Sequence, residues 1–237
     1  MRKLDGGKAW ADIMAMARGN AEPLALIGGL FIMLPALIAQ VFAPFVPVAT
    51  TVQARVNEQL AYFEANMGPL LAALIVSTLG QAVILSLLLD PDRPTVGRSF
   101  GIGAAGLIWL LIVNFLTAVV VGAGLTLFIV PGLYLFGRLA PVPAILFAER
   151  RTNPLQLFSR SFAITRGNGW RSLLLFAVIW VTATIVIAAA IAVVGIGASL
   201  AAGSLAAFIT ALVAAVLDTA FALLLLLTYA AIYRQLA

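Results

Sequence analysis

Long apolar stretches alternate along the chain with short segments that carry nearly all of its charge. A helix needs about 20 apolar residues to cross a hydrocarbon core of ~30 Å. Six stretches meet that length. They run from Leu24 to about Val48, from Pro69 to Leu89, from Gly101 onward, to an end near Phe147, from Ser172 to about Ala198, and from about Ser204 to Tyr233. Two borders between the third and fourth fit the pattern. Gly122 and Gly124 suit a tight turn after Val121, and Pro131-Gly132 suits a break after a longer third helix. The count of six holds with either. The first stretch is about twice as long as the apolar region of a signal peptide, so it is read as a span. The expected fold is all-α, a polytopic membrane bundle of six transmembrane helices. It forms a single transmembrane domain over 1–237, made of hairpins 24–89, 90–148 and 172–237.

The polar intervals have their own periodicity. In segment 1–23, Trp10, Ile13, Met14 and Ala17 recur at helical spacing. Segment 149–171 does the same with Leu155, Phe158 and Phe162, with Arg160 and Ser161 off that face. There Asn153 suits an N-cap, Pro154 the first helical position and Gly167 the left-handed position past the end. Both segments are predicted to be interfacial amphipathic helices. Between the first two spans, Val52, Val56, Leu60 and Phe63 predict another amphipathic helix within Thr50–Met67. Pro35, Pro44 and Pro47 are expected to kink the first span or its exit. Ala17-Arg18-Gly19-Asn20 and Thr165-Arg166-Gly167-Asn168 echo each other before the first and fifth spans, and the basic segment Arg93 to Phe100 precedes the third. This pattern reads as three hairpins entered in the same orientation.

Charge sets the orientation. Arg2, Lys3, Lys8, Arg18, Arg93, Arg98, Arg150, Arg151, Arg160, Arg166, Arg171 and Arg234 account for 12 of the 14 basic residues, and six spans place all of them on one side. Basic loops resist translocation, so the N- and C-termini are expected inside. Arg55 falls outside and Arg138 within a span. Composition agrees with membrane solvation: 63% of the 237 residues are apolar and 10% charged, with a mean hydropathy of +1.12. A soluble domain carries about 25% charged residues. The formal net charge of +5 is a topology signal. No basic domain stands outside the bilayer to bind nucleic acid.

The chain has no Cys and no His. Thiolate chemistry, histidine-dependent triads and HExxH metal sites are therefore excluded. Asp90-Pro-Asp92 reads as a turn with too few ligands for a metal-dependent phosphotransferase. No cofactor or metal site is expected, and the chain is read as non-enzymatic. An ionised group at midspan costs roughly 2.5–3.5 kcal/mol on insertion scales, so it usually faces protein or water. Arg138 and Asp218 are the two such groups, with Asn114 and Gln81 at comparable depths. Ala214 and Ala222 flank Asp218, and small residues such as Thr184, Ala188 and Ala192 permit close helix packing. Three arrangements are open: a structural Arg138–Asp218 pair completed by Asn114 or Gln81, the same pair as a gate or relay, or an unpaired Arg138 snorkelling to the headgroups. In the paired arrangements, carbonyls freed by Pro141 and Pro143 would accept from the guanidinium. Arg150, Arg151, Arg160, Arg166 and Arg171 are candidate contacts for anionic phospholipid headgroups.

The stretch Pro131-Gly132-Leu133-Tyr134-Leu135-Phe136-Gly137-Arg138-Leu139-Ala140 through Glu149 continues into Arg160-Ser161-Phe162 and Thr165-Arg166-Gly167-Asn168-Gly169-Trp170-Arg171. On these residues the chain resembles the YciC-like bacterial inner-membrane proteins. That group is similar to the membrane domain fused to some glycerophosphodiester phosphodiesterases. The resemblance implies a multi-pass protein of the bacterial cytoplasmic membrane and assigns no reaction. Phosphodiesterase chemistry belongs to a separate barrel with His and metal-binding carboxylates, which this chain lacks. The functional expectation is an envelope support or scaffold acting through lipid and protein contacts. The alternative is a small transporter or channel with its polar path at Arg138, Asp218, Asn114 and Gln81. A dry, packed centre favours the first and a water-filled route the second.

Overall fold

The computed structural model describes residues 3–45, 48–92, 94–199 and 204–237. Arg2, Pro47 and Arg93 lie outside these described residues, and so does the end of the fifth span at the side chain of Ala198. Ten helices follow in order: α1 (Gly6–Gly19), α2 (Ala21–Phe42), α3 (Val52–Ala65), α4 (Met67–Leu89), α5 (Val96–Leu127), α6 (Ile129–Leu139), α7 (Val142–Ala148), α8 (Pro154–Ile164), α9 (Gly169–Ser199) and α10 (Ser204–Leu236). Among the described residues, six stretches are long and apolar enough to cross a membrane: α2, α4, α5, the α6–α7 unit, α9 and α10. The protein is an all-α polytopic bundle.

The spans form a ring in chain order. α2 packs on α4, α4 on α5, α5 on α6, α6 on α9 and α9 on α10, and α10 closes against α2. The short helix α7 turns into the ring and touches α4, α5 and α10. Val142, Ala144, Ile145, Leu146 and Phe147 of α7 are all buried. Pro141 causes the turn: with no N–H it cannot continue α6, and Pro143 sits in the first turn of the helix that follows. Together they swing an apolar plug into one end of the bundle.

That plugged end is the basic one. The main-chain N–H of Leu4 donates to Asn168 Oδ1 (2.9 Å) and that of Asp5 to Gln235 Oε1 (3.2 Å), so the start of the chain meets both the α8–α9 turn and the end of α10 there. Arg234 Nη2 donates to the Leu88 carbonyl (2.7 Å), satisfying one of the carbonyls left unpaired at the end of α4. Within the spans, Thr78, Thr210, Thr219 and Thr228 donate their hydroxyls to the carbonyl four residues back, so none presents a bare O–H to hydrocarbon.

Several expectations are met and others corrected. The break between the third and fourth spans falls at Phe128, whose backbone is extended, between the two positions considered. Gly122 and Gly124 are helical. Gly124 serves packing instead of turning: a Cβ there would lie 2.9 Å from Gly132 Cα, and one on Gly132 would lie 2.5 Å from the Leu125 nitrogen. The α5–α6 contact needs both glycines bare. The first span ends at Phe42, ahead of Pro44 and short of Val48. Pro35 is preceded by one π turn, Gly29–Met33, in which the Leu34 N–H reaches the Gly29 carbonyl.

Asn153 caps α8 through Leu155 N–H (3.0 Å), with Pro154 at its first position, and Gly167 takes φ +76°. The buried face of α8 differs from the expected one. Leu157 and Ser161 are buried, Phe158 and Phe162 pack partly against the core, and Leu155 points outward. In α1, Ala9, Ile13 and Met16 are buried while Trp10 is exposed. The predicted helix at Thr50–Met67 forms as α3, and none of its residues is buried. The echo before the first and fifth spans corresponds to α1 and α8. In the basic stretch before the third span, Thr95 caps α5, which begins at Val96.

Candidate functional site at the basic end

Arg138 lies in the last turn of α6, where the Pro141 break leaves carbonyls without helical donors. Its guanidinium reaches across to α8 and the turn after it. Nε donates to Thr165 Oγ1 (2.8 Å), Nη1 to the Tyr134 hydroxyl (2.9 Å) and Nη2 to the Phe162 carbonyl. The guanidinium carbon also stands 5.0 Å from the Phe162 ring centroid, a favourable cation–π position. The main-chain carbonyl of Arg138 accepts from Ser161 Oγ (2.6 Å). One residue thus ties α6 to α8 by its side chain and its backbone together. The ring glycines permit this closeness: a Cβ on Gly137 would sit 2.5 Å from the Gly169 carbonyl oxygen, and one on Gly169 would strike Tyr134 and Arg138.

Neither arrangement that pairs Arg138 with Asp218 forms among the described residues. Asp218 lies on α10 with an exposed side chain, and no ion pair joins it to Arg138 among the described residues. The reason is the turn at Pro141, which holds Arg138 at the level of α8. Asp218 stands 18 residues from the end of α10, about 27 Å up the helix. The acceptors for the guanidinium are Phe162 of α8, Thr165 just after it and Tyr134 of α6, not carbonyls freed by the prolines. Asn114 and Gln81 are half-buried on α5 and α4. No hydrogen bond joins any two of Arg138, Asp218, Asn114 and Gln81 among the described residues.

Two clusters cover the plug. In the first, Arg150 grips Asp90 at two points, Nη2 to Oδ1 (2.7 Å) and Nε to Oδ2 (3.1 Å), and reaches Asp92 Oδ2 (2.6 Å). Arg98 joins Asp92 at 3.2 Å. Asp90 is buried, and the Arg150 guanidinium bonded to it holds its carboxyl below the ordinary value of 3.8, against the opposing effect of burial. The carboxylates in turn raise the pKa of Arg150. Arg150 has φ 50°, a left-handed conformation uncommon outside glycine, and the two-point grip on Asp90 accompanies it. In the second cluster, Glu149 pairs with Arg151 (2.8 Å) and Arg160 (2.7 Å).

These contacts change the reading of the five arginines assigned to lipid. Arg150, Arg151 and Arg160 are engaged by carboxylates of the same chain. Arg171 donates to the Leu4 carbonyl (3.2 Å) and has no carboxylate within 4 Å among the described residues, as is also true of Arg166. Sequence reasoning passed over Asp90 and Glu149. Their signal was available in Asp90-Pro-Asp92 and Glu149-Arg150-Arg151, the two acid-bearing loops of the basic side, but nothing in the sequence says that the loops touch.

Comparison of the chain with protein-family models, with curated proteins and with solved structures gave no match. Its functional reading therefore rests on its own geometry.

Proposed function

We propose that this chain is a non-enzymatic integral protein of the bacterial cytoplasmic membrane, with its basic end in the cytoplasm, that supports the envelope through lipid and protein contacts. The observation that carries this reading is the apolar plug. Val142, Ala144, Ile145, Leu146 and Phe147 occupy the centre of the ring at its basic end, each at most 4% exposed. A path for ions or polar solutes needs water or polar groups through that centre. The polar residues suited to such a path are scattered: Arg138 is tied to α8, and Asp218 faces out of the bundle. Four arginines at the basic end, Arg98, Arg150, Arg151 and Arg160, hold carboxylates of the same chain, which suits a rigid platform. The resemblance to the YciC-like group supports the same assignment.

The test is flux through liposomes of defined lipid. Vesicles holding the purified protein are expected to retain protons, potassium and small solutes as well as protein-free vesicles do. Flux that rises with protein density and falls on Asp218→Asn would replace this reading with transport.

A further inference from the structure

A cavity of about 770 Å³ opens between α9 and α10. Its walls are apolar side chains such as Val178, Val186, Leu217 and Phe221, and its mouth is formed by Leu4, Trp10 and Arg171. Along α9 it extends from Arg171 to Ile187, 16 residues or about 24 Å of helix. One leaflet contributes roughly 15 Å of hydrocarbon. The groove therefore runs from headgroup level beyond the bilayer centre. Its walls are exposed at Leu174, Val178 and Val186, so it opens sideways onto the bilayer. Water gains nothing from such walls.

The mouth has a different chemistry. Arg171 is exposed, and its hydrogen bond goes to a main-chain carbonyl. This sets it apart from Arg98, Arg150, Arg151 and Arg160, which all hold carboxylates. Asp5, the acid nearest in sequence to the mouth, is used as the cap of α1 through Lys8 N–H (3.0 Å). The Trp10 indole adds an amphipathic ring where headgroup and chain would meet. We infer that this groove holds one acyl chain of an anionic phospholipid from the leaflet at the basic end, with Arg171 at its phosphate. The occupant is a lipid rather than a second copy of the chain, because the groove opens sideways onto the bilayer with a cation and an indole at its mouth, where a phospholipid places its phosphate and the start of its acyl chain. This inference deepens the proposed lipid-contact role and rests on it.

The test uses the full chain in phosphatidylcholine vesicles containing a minor fraction of brominated-chain phosphatidylglycerol or brominated-chain phosphatidylcholine. Bromine quenches nearby tryptophan, and the Trp10 share is isolated by subtracting the signal of Trp10→Phe. The anionic lipid is expected to occupy the site about fivefold more than the zwitterionic one, as one cation near a charged headgroup provides. Arg171→Gln should bring the two lipids level, Arg171→Lys should keep the preference, and Ala183→Phe, which fills the groove, should reduce quenching by both. Molar salt should erase the preference in the unaltered protein, a readout that needs no variant to fold. Equal quenching by the two lipids, a preference that survives Arg171→Gln or high salt, or quenching unaffected by Ala183→Phe would overturn the inference. So would shielding of Trp10 in a dimer. Flux measured on the same vesicles reports separately on the non-transport reading.

Discussion

Helices α1 and α3 are both 14 residues long, and they end in the same way. Asn20 donates its side-chain amide to the Met16 carbonyl at 2.9 Å, and Asn66 donates its own to the Tyr62 carbonyl at 2.9 Å. Each asparagine then opens a span whose third residue is proline, Pro23 or Pro69. The joints are local and nearly identical, yet the two helices have different surroundings. α1 lies on α10 and buries Ala9, Ile13 and Met16, whereas α3 buries nothing. A polar joint and an amphipathic stripe are enough to lay a helix at a membrane surface. Whether protein or lipid covers the stripe depends on which other elements arrive at that end. At the basic end these are the last turns of α10, the α8–α9 turn and the α7 plug.

The contrast predicts unequal responses to similar substitutions. Ile13→Ala, in a fully buried site, should cost about 2–5 kcal/mol in thermal or denaturant unfolding in micelles. Leu60→Ala on exposed α3 should stay within about 0.5 kcal/mol. Equal losses would mean that α3 is covered after all. Gly137→Ala places a Cβ against the Gly169 carbonyl and should cost about 1–3 kcal/mol. Gly122→Ala meets nothing within 4 Å and should add up to about 1 kcal/mol through helix propensity.

Acid should act on the basic end first. The Asp90 carboxyl is held below its ordinary value, so its contribution is fully present above about pH 4 and is lost as pH falls through its lowered value. Unfolding followed against pH should show that acid-side loss, and Asp90→Asn should be less stable at neutral pH and flatter below it. A wild-type acid slope retained in the variant would remove Asp90 from the account. The shared joint should respond alike at both ends. Asn20→Ala and Asn66→Ala should each cost about 0.5–1.5 kcal/mol, and by similar amounts, because the bond is the same in both places.

Much of the architecture was legible in residue order. Six spans, the positions of α1, α3 and α8, the Asn153 cap and the Gly167 turn all follow from short-range rules. The errors share one cause. The buried face of α8 was misread because Ser161 looks polar in sequence, while the structure gives its hydroxyl the Arg138 carbonyl, 23 positions away. Residue order leaves the border between the third and fourth spans open at Gly122-Gly124 or Pro131-Gly132, because a glycine that turns and a glycine that packs are the same letter. Two of the three arrangements open for Arg138 pair it with Asp218, because both are charged and both fall within spans. Their separation follows from the Pro141 turn, which lifts Arg138 onto α8.

Apolar run length and the lopsided placement of arginine determined the solvent, the number of crossings and the shared side of the two chain ends, since each of these depends on transfer energies that add along the chain. The closure of α10 on α2, the entry of α7 into the ring and the pairing of Arg150 with Asp90 were decided only by tertiary structure. Each depends on groups far apart in sequence meeting within a few ångströms. Hydropathy has no information at that range.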